Sequence, residues 1–279
     1  MAENDRKFQI ITVDPGHFHA ALVQKFMYAD VDPLVHVYAP QGADVVEHLK
    51  RIESFNTRAD DPTSWRMETY TGKDFFEKML EDKPGNIVVL AGNNARKTDY
   101  ILRSVEAGLN VLADKPMAIT PADYRKLEKA FATAQAKDVL LYDIMTERFE
   151  ITSILQRELS QRPELFGTLT KGSPQQPAIV KESVHHFSKV VAGAPLIRPQ
   201  WFFDVRQEGE GIVDVTTHLV DLVQWQAFPE QALAPKDAQV LSARRWSTQM
   251  TPAQFKQVTG ADSFPAYLQK DVRGGNLHV

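Results

Sequence analysis

The sequence predicts a doubly wound α/β domain over roughly its first half, joined to a second, mixed α+β domain. Three observations predict this. The length is 279 residues, above the ~100–150 residues usual for one domain. Strand-like and helix-like stretches alternate up to about residue 145, the rhythm of a parallel sheet wrapped by helices. Beyond that point helical and β-rich pieces no longer alternate. The expected domains are therefore 1–145 and 146–279.

Phe8–Val13 (FQIITV) is β-rich and stops at the turn residues Asp14-Pro15-Gly16. An apolar pattern of helical period runs from Phe18 to about Ala29. Leu34–Tyr38 is a second strand, and Ala43–Ile52 a helix. Glu53–Arg66 is polar and irregular and reads as a loop. Met67–Tyr70 is a third strand, and Lys73–Glu81 a helix. Asn86–Ala91 (NIVVLA) is an unbroken apolar run, as expected of a strand buried on both faces. Arg96–Ala107 is a helix ending at Gly108, then Asn110–Ala113 a buried strand. Thr120 caps a helix with Pro121 at its first position, running to about Lys137, and Val139–Tyr142 is a sixth strand. After residue 145, Glu147–Leu159 reads as helix. Leu165–Thr170 and Ile179–Phe187 are β-rich, and Ala194–Phe203 is a loop. Val213–Trp225 is a clear helix, Ala238–Trp246 a strand, and Gly274–Val279 the beginning of another.

Composition narrows the function classes. Apolar residues make up 43% and charged residues 24%, ordinary for a globular protein. The net charge of −4, with both signs interspersed, argues against nucleic acid or an anionic membrane as the main partner. There is no cysteine, so disulfides, thiolate chemistry and cysteine-based zinc sites are excluded. No apolar run reaches the ~20 residues of a membrane helix. Met1 to Lys7 reads as a polar, flexible end and not as a signal peptide. A cytoplasmic or, after removal of a leader, a periplasmic protein both fit.

Four stretches can carry chemistry. The first is the turn after strand one, Asp14-Pro15-Gly16-His17-Phe18-His19. A dinucleotide-binding turn usually reads G-x-G-x-x-G, so that backbone and helix N-terminus approach a pyrophosphate. Here Gly16 alone remains, with Asp14 and His19 at the outer glycine positions. A modified phosphate loop and a purely structural turn are both open. His17 and His19 form an H-x-H pair; without further placed ligands no metal site is expected, and they could line a ligand mouth. The second is Gly92-Asn93-Asn94 at the carboxyl end of strand four, where open α/β sheets bind ligands; the alternative is a plain turn with an asparagine cap. The third is Asp114-Lys115-Pro116, where a buried strand delivers a lysine to the same edge of the sheet. An ammonium there can polarise a carbonyl or hydroxyl; the alternative is a surface turn. The fourth is Gly211 to Asp221. Asp214 and His218 stand four apart on one face of a largely apolar helix. A buried acid and imidazole suit general acid–base work, or a satisfied pair in the core.

Together, Gly108-Leu109-Asn110-Val111-Leu112-Ala113-Asp114-Lys115-Pro116 and Gly211 through Asp221 resemble two signature segments of the glucose–fructose oxidoreductase and inositol dehydrogenase (Gfo/Idh/MocA) family, in the same order. The resemblance covers essentially the whole chain. It implies a Rossmann-type doubly wound parallel sheet followed by an α+β domain with an open mixed sheet. It implies an oxidoreductase using NAD or NADP, with NAD slightly preferred, on a sugar- or polyol-like small molecule. Lys115, Asp214 and His218 would be the catalytic group. Asp14, Gly16, His17, Phe18, Ala39, Gly92, Asn93, Asn94, Asp114, Lys115 and Pro116 would line the cofactor. His185, His186 and Trp201 would line the substrate. A homo-oligomer through the second domain is expected. An NAD-dependent glycoside hydrolase on the same scaffold, or a ligand-binding protein with a decayed cofactor site, are the alternatives. The departures concern the cofactor: two missing glycines, no acid at the end of strand two (Tyr38-Ala39-Pro40), Asp114 where glutamate is usual, and Asn93-Asn94 where Pro-Asn is usual. The chain also stops as a strand begins, where relatives of this kind usually complete several more.

Overall fold

The computed structural model describes residues 8–191 and 193–279; the polar start, Met1 to Lys7, lies outside them. Contacts divide the chain into two units, 1–144 with 197–210, and 145–196 with 211–279.

The first unit is built on six strands: β1 (Ile10–Val13), β2 (Leu34–Ala39), β3 (Arg66–Thr71), β4 (Ile87–Leu90), β5 (Asn110–Asp114) and β6 (Leu141–Ile144). They lie in the order β3-β2-β1-β4-β5-β6, every neighbouring pair parallel. The helices between them are α1 (His19–Leu22), α2 (Ala43–Thr57), α3 (Phe75–Asp82), α4 (Asn94–Glu106) and α5 (Pro121–Ala136).

Strand side chains alternate between faces, and the core divides accordingly. Ile11, Val13, Val88, Leu90, Val111 and Ala113 pack with Phe75, Phe76, Met79, Ile101, Val105 and Ala130. Ile10, Val35 and Val89 pack the other way, with Ala21, Ile52, Phe55 and Trp65. Both faces are covered, which is why β4 reads as a continuous apolar run and β1 is buried throughout. Sequence order reverses between β1 and β4, and the crevice beyond their carboxyl ends is where such sheets bind ligands. The Asp14–Phe18 turn and residues 91–94 meet there.

Two boundaries differ from expectation. The apolar stretch from Phe18 to Ala29 is α-helical only over His19–Leu22. The Gln24 carbonyl accepts the Trp65 indole N–H at 2.7 Å, which diverts it from helical pairing. Conversely, the expected loop after Ile52 continues α2 to Thr57, because Phe55 (6% exposed) reaches the core cluster of Ile52 and Trp65.

In the second unit, α6 (Ile151–Ser160) and α7 (Pro163–Phe166) are followed by a hairpin, β7 (Val190–Val191) with β8 (Ala194–Pro195), and by the long helix α8 (Gly211–Ala227). A three-stranded antiparallel sheet, β10-β11-β9, joins β9 (Gln249–Met250), β10 (Val272–Arg273) and β11 (Asn276–His278), with α9 (Pro252–Thr259) between β9 and β10. The sheets here are small and antiparallel. Leu165–Thr170 and Ile179–Phe187, β-rich in the sequence, and Ala238–Trp246, expected as a strand, carry no strand. A β-rich composition needs a neighbour to satisfy its backbone, and propensity does not supply one. The segment 197–210, expected with the second domain, groups with the first unit, where Trp201, Phe202 and Phe203 are buried. Among the described residues no helix is long and apolar enough to cross a membrane.

Candidate active site

In the first unit the candidate residues converge on the crevice at β1, β4 and β5. Asp14 follows β1 with φ 47°, a left-handed conformation that glycine would adopt without strain. The residue is 8% exposed. Burial raises its pKa to about 6, with Asp44 adding to the rise while Arg96 and the Tyr100 hydroxyl oppose it. Gly16 and His17 both donate their backbone N–H to the Ala91 carbonyl, at 3.1 and 2.8 Å. A side chain on Gly92 would stand 1.9 Å from the Asp14 carbonyl. That glycine therefore serves the approach of two strand ends. Ala39 closes β2 at 1% exposure.

His17 Nδ1–H donates to Asp114 Oδ2 at 2.8 Å. Burial, then neighbouring His19, push the His17 pKa down to about 3, against the pull of Asp114. Asp114 is 1% exposed. Burial would raise its carboxyl, but the Lys97 ammonium and the two imidazoles hold it well below the usual carboxylate range. His17, His19 and Asp114 bring one ligand atom each within 4.8 Å of one another. The sequence offered only the H-x-H pair, since Asp114 comes from a distant strand. The Lys97 ammonium is already bonded to the same carboxylate, so the cluster is an ion-paired network, and a dication would add charge beside that ammonium. Lys115, 9% exposed, follows Asp114 at the carboxyl end of β5, and the Lys115–Pro116 peptide is cis.

Asn93 caps α4, its Oδ1 accepting the Ala95 N–H at 3.1 Å, while its amide donates to Gln207 Oε1 at 2.8 Å. Asn94 is buried and donates to the Glu208 carbonyl and carboxylate, both at 2.9 Å. Trp201 lies against Gly16, not in the second unit where it was expected to line a substrate. A Cβ on Gly16 would be 2.8 Å from the indole ring, whose Nε1–H donates to Asp44 Oδ2 at 2.7 Å. Lys97, Asp44, Gln207 and Glu208 were not signalled by the sequence. An acid in the first turn of α2 was a weak clue for Asp44; for the others the contacts join distant segments.

In the second unit, Asp214, His218, Leu222 and Gln226 form the buried stripe of α8, recurring every fourth residue. Asp214 and His218 are each 7% exposed. Asp214 Oδ2 lies 3.4 Å from His185 Nε2, and His218 Nε2 lies 4.0 Å from Glu147 Oε1. Arg148 grips Asp221, its Nε donating to Oδ2 at 2.7 Å. His185 is half-buried and His186 exposed, both in irregular chain.

Two family models match this chain. One, described as "Oxidoreductase family, NAD-binding Rossmann fold", matches residues 16–142. The other, "Putative oxidoreductase C terminal domain", matches residues 155–279. The chain belongs to the Gfo/Idh/MocA family of oxidoreductases.

Known proteins place this Gfo/Idh/MocA chain further. A solved structure from Parabacteroides merdae, described as a "putative oxidoreductase", is 56% identical with a TM-score of 0.93; it covers 100% of this chain, which spans 64% of that protein. D-xylose 1-dehydrogenase (NADP(+)) of Hypocrea jecorina is 31% identical over 137 residues, a match covering 46% of this chain and 33% of that enzyme. The WlbA dehydrogenase from Bordetella pertussis, solved with NADH and UDP-GlcNAcA, shares the fold at 18% identity and a TM-score of 0.53, over 81% of this chain and 56% of that one. The chain is thus shorter than each of them.

The family match over residues 16–142 implies a dinucleotide, whose anionic part would meet the turn after β1 in this Gfo/Idh/MocA chain. An opening of about 200 Å³ beside Gly16 is lined by Pro15, His17, Phe18, Asp44, His48 and Arg51. It offers a guanidinium, and His48 Nε2 is buried without a hydrogen-bond partner among the described residues. With the Trp201 ring against Gly16, a whole dinucleotide requires that ring to move.

Proposed function

We propose that this chain is a nicotinamide-dependent oxidoreductase that oxidises or reduces a CH–OH group of a sugar- or polyol-like substrate. The observation that carries the reading is the inward stripe of α8. Asp214 and His218 are withheld from water on a helix whose other buried neighbours include Leu222. A carboxylate and an imidazole kept there need a task or a partner.

The first unit would hold the cofactor with Gly16, Phe18, Ala39 and the guanidinium of Arg51, with Trp201 displaced. A bound nicotinamide supplies the hydride acceptor or donor. Lys115 holds and polarises the substrate oxygen with its ammonium. His218 takes the proton of the substrate hydroxyl as the C–H bond breaks, and returns it in reduction. Asp214 orients the substrate, and His185, beside its carboxylate, extends that polar surface. The mostly sugar-like substrates of the family, together with the xylose dehydrogenase relative, support a polyol. A non-catalytic ligand-binding role is favoured by one observation: Gly16 and His17 already spend their N–H groups on Ala91.

Calorimetry of the full chain with NAD+, NADH, NADP+ and NADPH decides between them. Binding of at least one form is expected, followed by a change in reduced-nicotinamide absorbance on a polyol panel. No heat with any of the four would overturn the enzymatic reading. Lys115→Ala and His218→Ala should each lower turnover by roughly 100-fold or more with an unchanged circular dichroism spectrum. Turnover equal to the unaltered chain in either variant would remove that residue from the mechanism.

A further inference from the structure

Lys97 is among the bulkiest fully buried side chains of the described residues, at 2% exposure. A buried ammonium is costly unless its donors are satisfied. Its partners are concentrated on one short stretch of chain. It pairs with the Asp114 carboxylate through Oδ1, and it approaches the carbonyls of Asp114 and Pro116 at 3.3 and 3.4 Å. Those two carbonyls flank Lys115 on either side. The remaining partner is Asn94 Oδ1, at 2.5 Å, whose amide in turn donates to Glu208.

We propose that Lys97 is the positioning residue for Lys115: its ammonium fixes the backbone on both sides of that lysine and thereby aims the Lys115 ammonium. The inference rests on the role given to Lys115 above. Three features make Lys97 suited to it. It rises from the first turn of α4, an element anchored in the core by Ile101 and Val105, so its stem has a rigid base. A compact ammonium can serve several carbonyl and carboxylate oxygens converging from different directions, which a planar guanidinium matches less well. The other carboxylate oxygen of Asp114 takes the His17 Nδ1–H, so the same strand end is held from the Asp14–Phe18 turn as well. Lys97 and Asn94 thus connect the segment 197–210, the start of α4 and the end of β5 in one buried chain of hydrogen bonds.

The test uses the full chain and two variants, Lys97→Met and the double variant Lys97→Met/Asp114→Asn. The second removes the uncompensated carboxylate that could unfold the first. The rate at which an amine-reactive reagent modifies Lys115 is read by mass spectrometry against exposed Lys137, alongside kcat and KM. Lys115 modification is expected to rise about tenfold or more, and kcat to fall roughly 10- to 100-fold with KM changed less than about threefold. A folded variant whose Lys115 reacts at the original rate overturns the proposal, whatever happens to its melting temperature. So does a loss carried by KM alone. If the unaltered chain shows no turnover with any nicotinamide, the proposed function fails, while the labelling rates still decide whether Lys97 holds Lys115.

Discussion

At the residue scale, buried titratable groups give this chain a pH signature. The Asp14 carboxyl rises to about 6, chiefly through burial. The folded state then keeps a proton that the unfolded chain releases near pH 4. Its contribution is fully present below that value and is lost as pH rises through 6. The full span is about 3 kcal/mol. Asp14→Asn, which tolerates the same left-handed backbone, should therefore be neutral at pH 4 and increasingly stabilising up to about pH 7. Urea unfolding across that range checks it; a constant difference would mean that Asp14 does not titrate on unfolding. His17 and His48 act in the opposite sense. Burial pushes both down to about 3, so what they contribute is present above pH 6.5 and lost as pH falls toward 3. The types of these residues were legible, and the turn at Asp14-Pro15-Gly16 marked the right place. Their burial was not, because it depends on β5 and α2 folding over the turn.

At the element scale, the strands of the first unit were the most legible features. β4 is apolar throughout, and β1 is apolar but for the buried Thr12, because both faces of the sheet are covered. The caps were legible too: Thr120 Oγ1 accepts the Asp123 N–H at 3.1 Å, with Pro121 in the first turn. Helix length was less so, as α1 and α2 show, since each is set by a long-range contact at Gln24 or Phe55. The end of β4 carries a sharp requirement. Any Cβ at Gly92 would press into the Asp14 carbonyl, a backbone atom that cannot turn aside. Gly92→Ala should cost about 3 kcal/mol or more, at the upper end of overpacking changes. Gly108→Ala meets no atom within 4 Å and carries only its positive φ of 82°, so its cost should be near 1 kcal/mol. Thermal melts of the two variants compare them; equal melting temperatures would contradict the close approach. In the second unit, α8 was legible by its four-residue stripe and the terminal strand β11 by the start expected at Gly274–Val279, whereas Ala238–Trp246 carries no strand.

At the scale of the whole molecule, each unit is assembled from two separate stretches of chain. The first needs residues 197–210, which bury Trp201, Phe202 and Phe203 and supply Gln207 and Glu208 to Asn93 and Asn94. A fragment ending at residue 144 should therefore bind a hydrophobic dye and unfold at lower denaturant than the same fragment given the 197–210 peptide. Identical unfolding with and without that peptide would show that the segment adds nothing to the unit. A linear reading places a domain boundary where the rhythm changes, and so misses a segment that returns.

The sequence by itself determined the class of the fold and the family. Alternation and apolar runs follow from local geometry, and the Asp114-Lys115-Pro116 and Gly211–Asp221 segments are contiguous in the chain. Tertiary structure alone decided what surrounds Lys115 and Gly16. Lys97, Asp114 and His17 meet across three elements, and Trp201 reaches Gly16 from far along the chain. Burial, charge pairing and close approach at such a site are properties of contacts between distant residues, which only the packed sheet and its helices create.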